Sequence, residues 1–288
     1  MDQRLIDLYD DYVHVHFDRR LFLERASKLV GSTAAAAALL PMFQSNYALA
    51  AMVAESDAAL TTERVTFPGA SGPVKAYLAR PRAGAARRGG VVVVHQNRGL
   101  NPHIEDVARR LGKEGYNALA VDFLSPLGGT PADENAAMAM FGQLDMAKRD
   151  GDAVAAAKYL RERPDSNGKV GAVGFCWGGG AVNNLAVNDP QLNAAVPYYG
   201  NVAAADKVAA IRAPLLLNYA DRMLDQRLGD ALPGYEAALK QHNKKYTLHV
   251  YDGAQHAFND DTNQARYNKA AADLAWGRTV AFFKENLS

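Results

Sequence analysis

The stretch that decides the fold is Lys169-Val-Gly-Ala-Val-Gly-Phe-Cys-Trp-Gly-Gly-Gly180, which runs from an apolar segment through a cysteine into glycines. This order predicts a strand, a sharp turn and a helix, with the cysteine at the tip of the turn. A side chain at the tip of so tight a turn leaves no room for others two positions before and after it. Gly174 and Gly178 occupy those positions, so the pattern predicts Cys176 as a nucleophile.

Cys176 is the chain's one cysteine, which excludes an internal disulfide and a cysteine-rich metal site. A lone cysteine is more often an inert buried residue. The glycines, the preceding strand and the following helix, predicted over 179–187, favour the nucleophile instead. That helix directs its partially positive N-terminus at the sulfur, which favours the thiolate.

Composition limits the domain count and the partners. The chain has 288 residues and a net charge of +1, enough for one large domain or two small ones. This near balance of charge gives no indication of a nucleic acid partner. We therefore predict no nucleic acid partner and leave the oligomeric state open.

The first fifty residues carry features of an export signal. Arg19-Arg20-Leu-Phe-Leu23 resembles a twin-arginine motif. An apolar run over 29–43 follows, and Ala48-Leu-Ala50 resembles a small-x-small cleavage site. The run is shorter than the ~20 residues that span a bilayer, so we predict no membrane anchor.

Two features favour a different interpretation of this extension, which we place at residues 1–60. The segment before the arginines is long and acidic, and Pro41 interrupts the apolar run. The alternative is an amphipathic helix retained on a cytoplasmic protein. Export to the periplasm is the prediction, and retention is the alternative.

Residues 61–288 predict a single α/β domain in which strands alternate with helices. Gly90-Val-Val-Val-Val-His95 is a continuous apolar run, typical of a central parallel strand buried on both faces. The alternation predicts a mostly parallel sheet covered by helices on both faces. Besides the elbow, the predicted strands are 64–67, 74–78, 90–95, 117–122, 194–199, 213–219 and 246–251. The other predicted helices are 103–113, 136–163 with a break near Gly142 or Gly151, 203–210, 234–242 with Pro233 at its first turn, and 267–287.

Ligands of such sheets bind beyond the carboxyl ends of the strands. The residues that follow the predicted strands there are 95–99, Cys176, 221–225 and His256. The order Cys, Asp, His along the chain is that of nucleophile, acid and base in α/β-hydrolases. His256 can take the thiol proton, and either Asp221 or Asp225 can fix its tautomer. We interpret His95 as structural.

With these residues in place, the chain resembles the dienelactone hydrolase family of α/β-hydrolases over about residues 61–287. The resemblance is carried by five segments: Val94-His-Gln-Asn-Arg-Gly-Leu-Asn-Pro102, Gly174-Phe-Cys-Trp-Gly-Gly179, Leu224-Asp-Gln-Arg227, Gly253-Ala-Gln-His-Ala-Phe258 and Ala272-Asp-Leu-Ala-Trp276. It implies hydrolysis of esters or lactones through a thioester, without metal or cofactor. The implied roles are nucleophile for Cys176, base for His256, acid for Asp225 in preference to Asp221, and oxyanion-hole donors for the backbones of Asn97 and Trp177.

The chain departs from the family pattern near the site. Gln96 stands where the family has a glutamate that contacts the sulfur, and Asp260 stands where it has an arginine that binds a substrate carboxylate. The loop before Asp225 is about two residues longer than usual, which keeps Asp221 open. We expect Gln96, Arg98 and Tyr199 to bind substrate or to modulate the nucleophile. For Arg98, a solvent-facing loop residue is an equal alternative.

The missing carboxylate at Gln96 motivates an alternative from another class. Fold alone does not fix function. A small-molecule binder without catalysis, or a redox-responsive thiol at Cys176, would use the same fold.

Overall fold

Helices precede the sheet in the computed structural model, which describes residues 3–15, 19–39, 52–84 and 87–288. These are α1 (Gln3–Val15), α2 (Arg19–Val30) and α3 (Thr33–Leu39). α1 and α2 contact each other and bury Leu5, Ile6 and Phe22 in a shared apolar cluster. The expected cleavage site at 48–50 lies outside the described residues. Within the described ranges, no helix has the length and apolar character needed to cross a bilayer.

The sheet of the described chain has eight strands in the order β1-β2-β4-β3-β5-β6-β7-β8. β2 pairs antiparallel with β1 and β4, and the other neighbours are parallel, so the predicted mostly parallel sheet is confirmed. Every residue of β4 is buried, which requires cover on both faces. The strands are β1 (Leu60–Gly69), β2 (Gly72–Pro81), β3 (Arg88–Val94), β4 (Asn117–Val121), β5 (Ser166–Phe175), β6 (Ala194–Tyr198), β7 (Leu215–Ala220) and β8 (Tyr246–Tyr251).

The helices after β3 cover this sheet. The predicted helix over 136–163 is broken at Gly142 rather than Gly151, because Asp145 caps a new helix by accepting from two backbone N–H groups. Gly151 lies inside that second helix. The helices are α4 (Pro102–Lys113), α5 (Glu134–Phe141), α6 (Met146–Arg161), α7 (Trp177–Asn188), α8 (Gln226–Gln241) and α9 (Lys269–Leu287).

The predicted start of one helix is wrong. α8 begins at Gln226, before the predicted start at Gly234, and Pro233 lies inside it. The buried residues Leu228, Leu232, Tyr235 and Leu239 recur at helical spacing, so packing against the core outweighs the hydrogen bond that proline cannot donate.

Candidate active site

The elbow places Cys176 between β5 and α7, with φ 55° and ψ −116°. A Cβ at Gly174 would lie 2.5 Å from the carbonyl carbon of Gly178, and one at Gly178 would lie 2.8 Å from that of Val94. Both distances are far below van der Waals contact, so only glycine fits. The strained turn is held because Cys176 N–H donates to the Tyr198 carbonyl at 3.0 Å.

His256 and Asp225 meet beside the elbow. His256 lies in the loop after β8 and is 2% exposed. Its Nδ1 lies 2.7 Å from Asp225 Oδ2, at the end of the loop between β7 and α8. An electrostatic interaction also links the Cys176 sulfur to His256. The ends of three parallel strands thus bring the cysteine, the imidazole and the carboxylate together at one edge of the sheet.

Electrostatics keep the imidazole protonated. Burial alone would lower the pKa of His256, but the charges of Asp225 and then Cys176 act against it and raise that pKa to about 10. His256 is therefore protonated at neutral pH.

Asp221, the alternative acid, makes other contacts. Its carboxylate accepts from Gly253 N–H at 2.9 Å and from Met223 N–H at 2.9 Å. These bonds lower its pKa. The structure thus places Asp225 against His256 and uses Asp221 to join the loops after β7 and β8.

The loop over 95–99 faces the elbow and is shaped by His95. Phe123 N–H donates to His95 Nε2 at 3.2 Å, and His95 Nδ1 lies 2.6 Å from the Gln96 carbonyl. Burial lowers the pKa of His95 despite the nearby Asp122 charge, so the ring is neutral and Nδ1–H is the donor. The ring also stacks on Trp177, with centroids 5.5 Å apart. His95 therefore ties this loop to Trp177, whose N–H lies in the first turn of α7 without a partner inside that helix.

Tyr199 and Gln96 are buried within the site. Tyr199 follows β6 with φ 36°, and its ring centroid lies 5.2 Å from that of His256. Burial raises the pKa of Tyr199 well above 10.0, and the charges of Asp260 and Cys176 raise it further, so its hydroxyl stays neutral. The Gln96 amide nitrogen is buried and makes no hydrogen bond with the part of the chain that the structure describes.

Arg98 is not a solvent-facing loop residue, and that alternative from the sequence is wrong. Its side chain is 5% exposed. Nε lies 3.3 Å from Glu134 Oε2, Nη1 lies 3.8 Å from Asp260 Oδ2, and Nη2 donates to the Tyr9 hydroxyl at 3.0 Å. Sequence reasoning missed Glu134 and Tyr9, since no local pattern marks contacts between residues so far apart along the chain.

One group could in principle hold a metal among the described residues: His103, Asp260 and Asp261. Cations of the protein already face its carboxylates, because Arg110 lies 2.5 Å from Asp261 and Arg98 lies 3.8 Å from Asp260. Burial lowers the pKa of His103, but the two aspartates outweigh this and raise it. The arrangement is that of an internal ion-pair cluster, and these donors do not fit an added metal cation.

A cysteine on a nucleophile elbow, with a histidine and an aspartate after later parallel strands, defines an α/β-hydrolase. The sequence model of a protein family described as the dienelactone hydrolase family matches residues 74–287, and the chain belongs to that family. A second model, described as YqhI-like, matches residues 1–31.

Relatives agree with this assignment. A Bradyrhizobium protein named as a probable 2-oxo-3-(5-oxofuran-2-ylidene)propanoate lactonase is 33% identical over 228 residues, which cover 74% of this chain and 89% of the relative. The predicted class, a carboxylic ester hydrolase, is confirmed by the family.

Solved structures share the fold. A dienelactone hydrolase from Anabaena variabilis superposes with a TM-score of 0.62 at 22% identity, covering 80% of this chain and 100% of its own. P91, a dienelactone hydrolase-like phosphotriesterase from metagenomic libraries, superposes with a TM-score of 0.68 at 24% identity. This match also covers 80% of this chain and 100% of the P91 chain. The predicted α/β-hydrolase fold is confirmed.

Proposed function

We propose that the chain hydrolyses uncharged carboxylic esters, lactones among them, through a thioester on Cys176. The observation that carries the proposal is that His256 interacts with both Cys176 and Asp225. The Asp225 carboxylate lies 2.7 Å from the imidazole. An inert buried cysteine has no need of a buried imidazole that is itself oriented by a carboxylate.

In the proposed mechanism, the Cys176 thiolate attacks the ester carbonyl carbon and forms the carbon–sulfur bond. Backbone N–H groups of Trp177 and Asn97 stabilise the resulting oxyanion. The carbon–oxygen bond to the leaving group breaks, and that oxygen takes a proton from His256. His256, now neutral, removes a proton from water, which attacks the thioester. The carbon–sulfur bond breaks, the acid leaves and the thiolate returns.

Charge near the base supports a neutral substrate. Asp260 takes the position where the family has its carboxylate-binding arginine, and Arg98 already faces Asp260 and Glu134. A substrate carboxylate would meet Asp260 and compete with it for Arg98. The lactonase name of the Bradyrhizobium relative supports a lactone as one substrate type, while its propanoate group is the part that this pocket disfavours.

Turnover of an activated aryl ester by wild type and Cys176→Ala tests the proposal. We expect Cys176→Ala to lose turnover, and rapid mixing of wild type to show a burst of about one product per protein followed by slower release. Undiminished activity in Cys176→Ala would refute the nucleophile. A burst without later turnover would favour the alternative of a reactive thiol that does not catalyse.

We also propose that the N-terminal extension stays on the protein, the alternative to export. The burial of Leu5, Ile6 and Phe22 supports retention, since cleavage near Ala51 would remove the helices that carry them. Intact-mass measurement of the native protein tests this. A mature N-terminus near Ala51 would support export instead.

A further inference from the structure

The helical hairpin formed by α1 and α2 packs on the rim of the active site. Its apolar cluster includes Met138 of α5 and contacts Ala265 in the loop after His256. Both of these segments flank the site. Phe141 of α5 packs edge-on against Trp177 at 4.8 Å, and Ala265 belongs to the loop that carries the base.

Tyr9 is the point where the hairpin reaches the loop over 95–99. It is 4% exposed. Its ring packs edge-on against Phe22 at 5.9 Å, and the guanidinium of Arg266 lies over it at 4.9 Å. Its hydroxyl accepts the hydrogen bond from Arg98 Nη2 at 3.0 Å.

Arg98 is the residue next to Asn97, and its side chain is held on three sides. Glu134 of α5, Asp260 after the base and Tyr9 of the hairpin take different nitrogens of the guanidinium. A buried guanidinium held in this way fixes the backbone that carries it. The backbone N–H of Asn97 must be aimed before the reaction if it is to stabilise an oxyanion.

We propose that Tyr9 is a positioning residue of the hydrolase: through Arg98, it fixes the loop that presents the Asn97 N–H to the oxyanion. The extension is therefore a working part of the active site. This inference rests on the proposed function, because it assumes an oxyanion formed at Cys176.

The test compares Tyr9→Phe with Tyr12→Phe in the full-length protein. Both changes remove one hydroxyl from the same helix and the same aromatic cluster, in which Tyr12 lies 5.1 Å from Phe22. We expect Tyr9→Phe to lower kcat for a neutral aryl ester about tenfold and to change KM less than about twofold, because the lost bond serves the transition state. Tyr12→Phe keeps the wild-type kcat.

Alkylation of Cys176 by iodoacetamide separates positioning from general damage, since this reaction uses the thiolate but no oxyanion hole. We expect equal alkylation rates in wild type and both variants, whereas Tyr9→Phe lowers the melting temperature because it removes a buried hydrogen bond of Arg98. Arg98→Lys is the second variant, because an ammonium lacks the planar fork that serves three partners. It should reproduce the loss of kcat.

The outcomes distinguish the two proposals. If kcat is unchanged in Tyr9→Phe while wild-type turnover needs Cys176, the positioning role is overturned and the proposed function stands. A joint fall of kcat, alkylation and melting temperature in both tyrosine variants also overturns it in favour of a purely structural hairpin. If wild type shows no Cys176-dependent turnover, both proposals fall.

Discussion

Replacement of Asp225 by asparagine tests whether its charge activates the proposed nucleophile, Cys176. Its carboxylate lies 2.7 Å from His256 Nδ1, and its charge is the largest of the influences that raise the pKa of His256. Asparagine keeps the size of the side chain and removes the charge. We therefore expect the pKa of His256 to fall and the proton to return to the sulfur of Cys176.

The size of this effect follows from the burial of the Asp225–His256 pair. The pKa of His256 stands at about 10 against an ordinary 6.5. The two side chains are only 3% and 8% exposed, so solvent screens their interaction little. A close opposite charge generally shifts the pKa of its partner by about 1–3, so loss of the carboxylate weakens the ion pair by about 1–4 kcal/mol. That corresponds to a thiolate population roughly tenfold to a thousandfold smaller relative to the thiol.

The assay is alkylation by iodoacetamide as a function of pH, followed by mass spectrometry. Cys176 is the one cysteine in the chain, so every adduct reports this sulfur. Wild type should react at a nearly constant rate through neutral pH. Asp225→Asn should react at least about tenfold more slowly at pH ~7 and accelerate toward the ordinary thiol pKa of about 8.5.

Asp221→Asn is the matched control, because Asp221 binds the backbone of Gly253 and Met223 rather than the imidazole. It should keep the wild-type alkylation profile even where it lowers stability. A wild-type profile in Asp225→Asn would refute the reasoning. Equal slowing in both variants would assign the effect to loop damage instead of charge.

Two further predictions concern charge at the site. Gln96→Glu should slow alkylation of Cys176 at neutral pH, because a buried carboxylate beside a thiolate disfavours its charge; an unchanged rate would show that this position does not face the sulfur. The raised pKa of His256 contributes stability that is full below pH 6.5 and is lost as pH rises through about 10. Urea midpoints should therefore fall more over this range in wild type than in His256→Gln, and parallel curves would contradict the shift.

The elbow and the buried strand over 90–94 were predictable because their causes are local. Gly174, Gly178 and the apolar run over 90–94 each specify a backbone state through a few neighbours. The start of α8 was not predictable in this way. Pro233 is a strong local signal for a helix start, yet buried side chains on both sides of it continue the helix.

Two features of the site could not be predicted from the sequence: which aspartate contacts His256, and the contacts that hold Arg98. Asp221 and Asp225 lie about one helical turn apart, and Asp225 N–H donates to the Asp221 carbonyl at 2.9 Å. Spacing alone therefore leaves both facing the same region, and the three-dimensional path of the loop after β7 decides between them. Tyr9 meets Arg98 across 89 positions of the chain, with no pattern in either segment to indicate it.

Positive φ angles, which residues other than glycine rarely adopt, recur beside the candidate active site. Of the four described non-glycine residues with positive φ, Cys176 is the proposed nucleophile, Tyr199 and Ala257 lie beside His256, and Asn243 is the exception. Each such conformation costs on the order of 1–3 kcal/mol that the surrounding fold must offset. Selection for thermal stability alone would first replace these residues with ones that remove the backbone strain. The more stable variants that result would be slower enzymes.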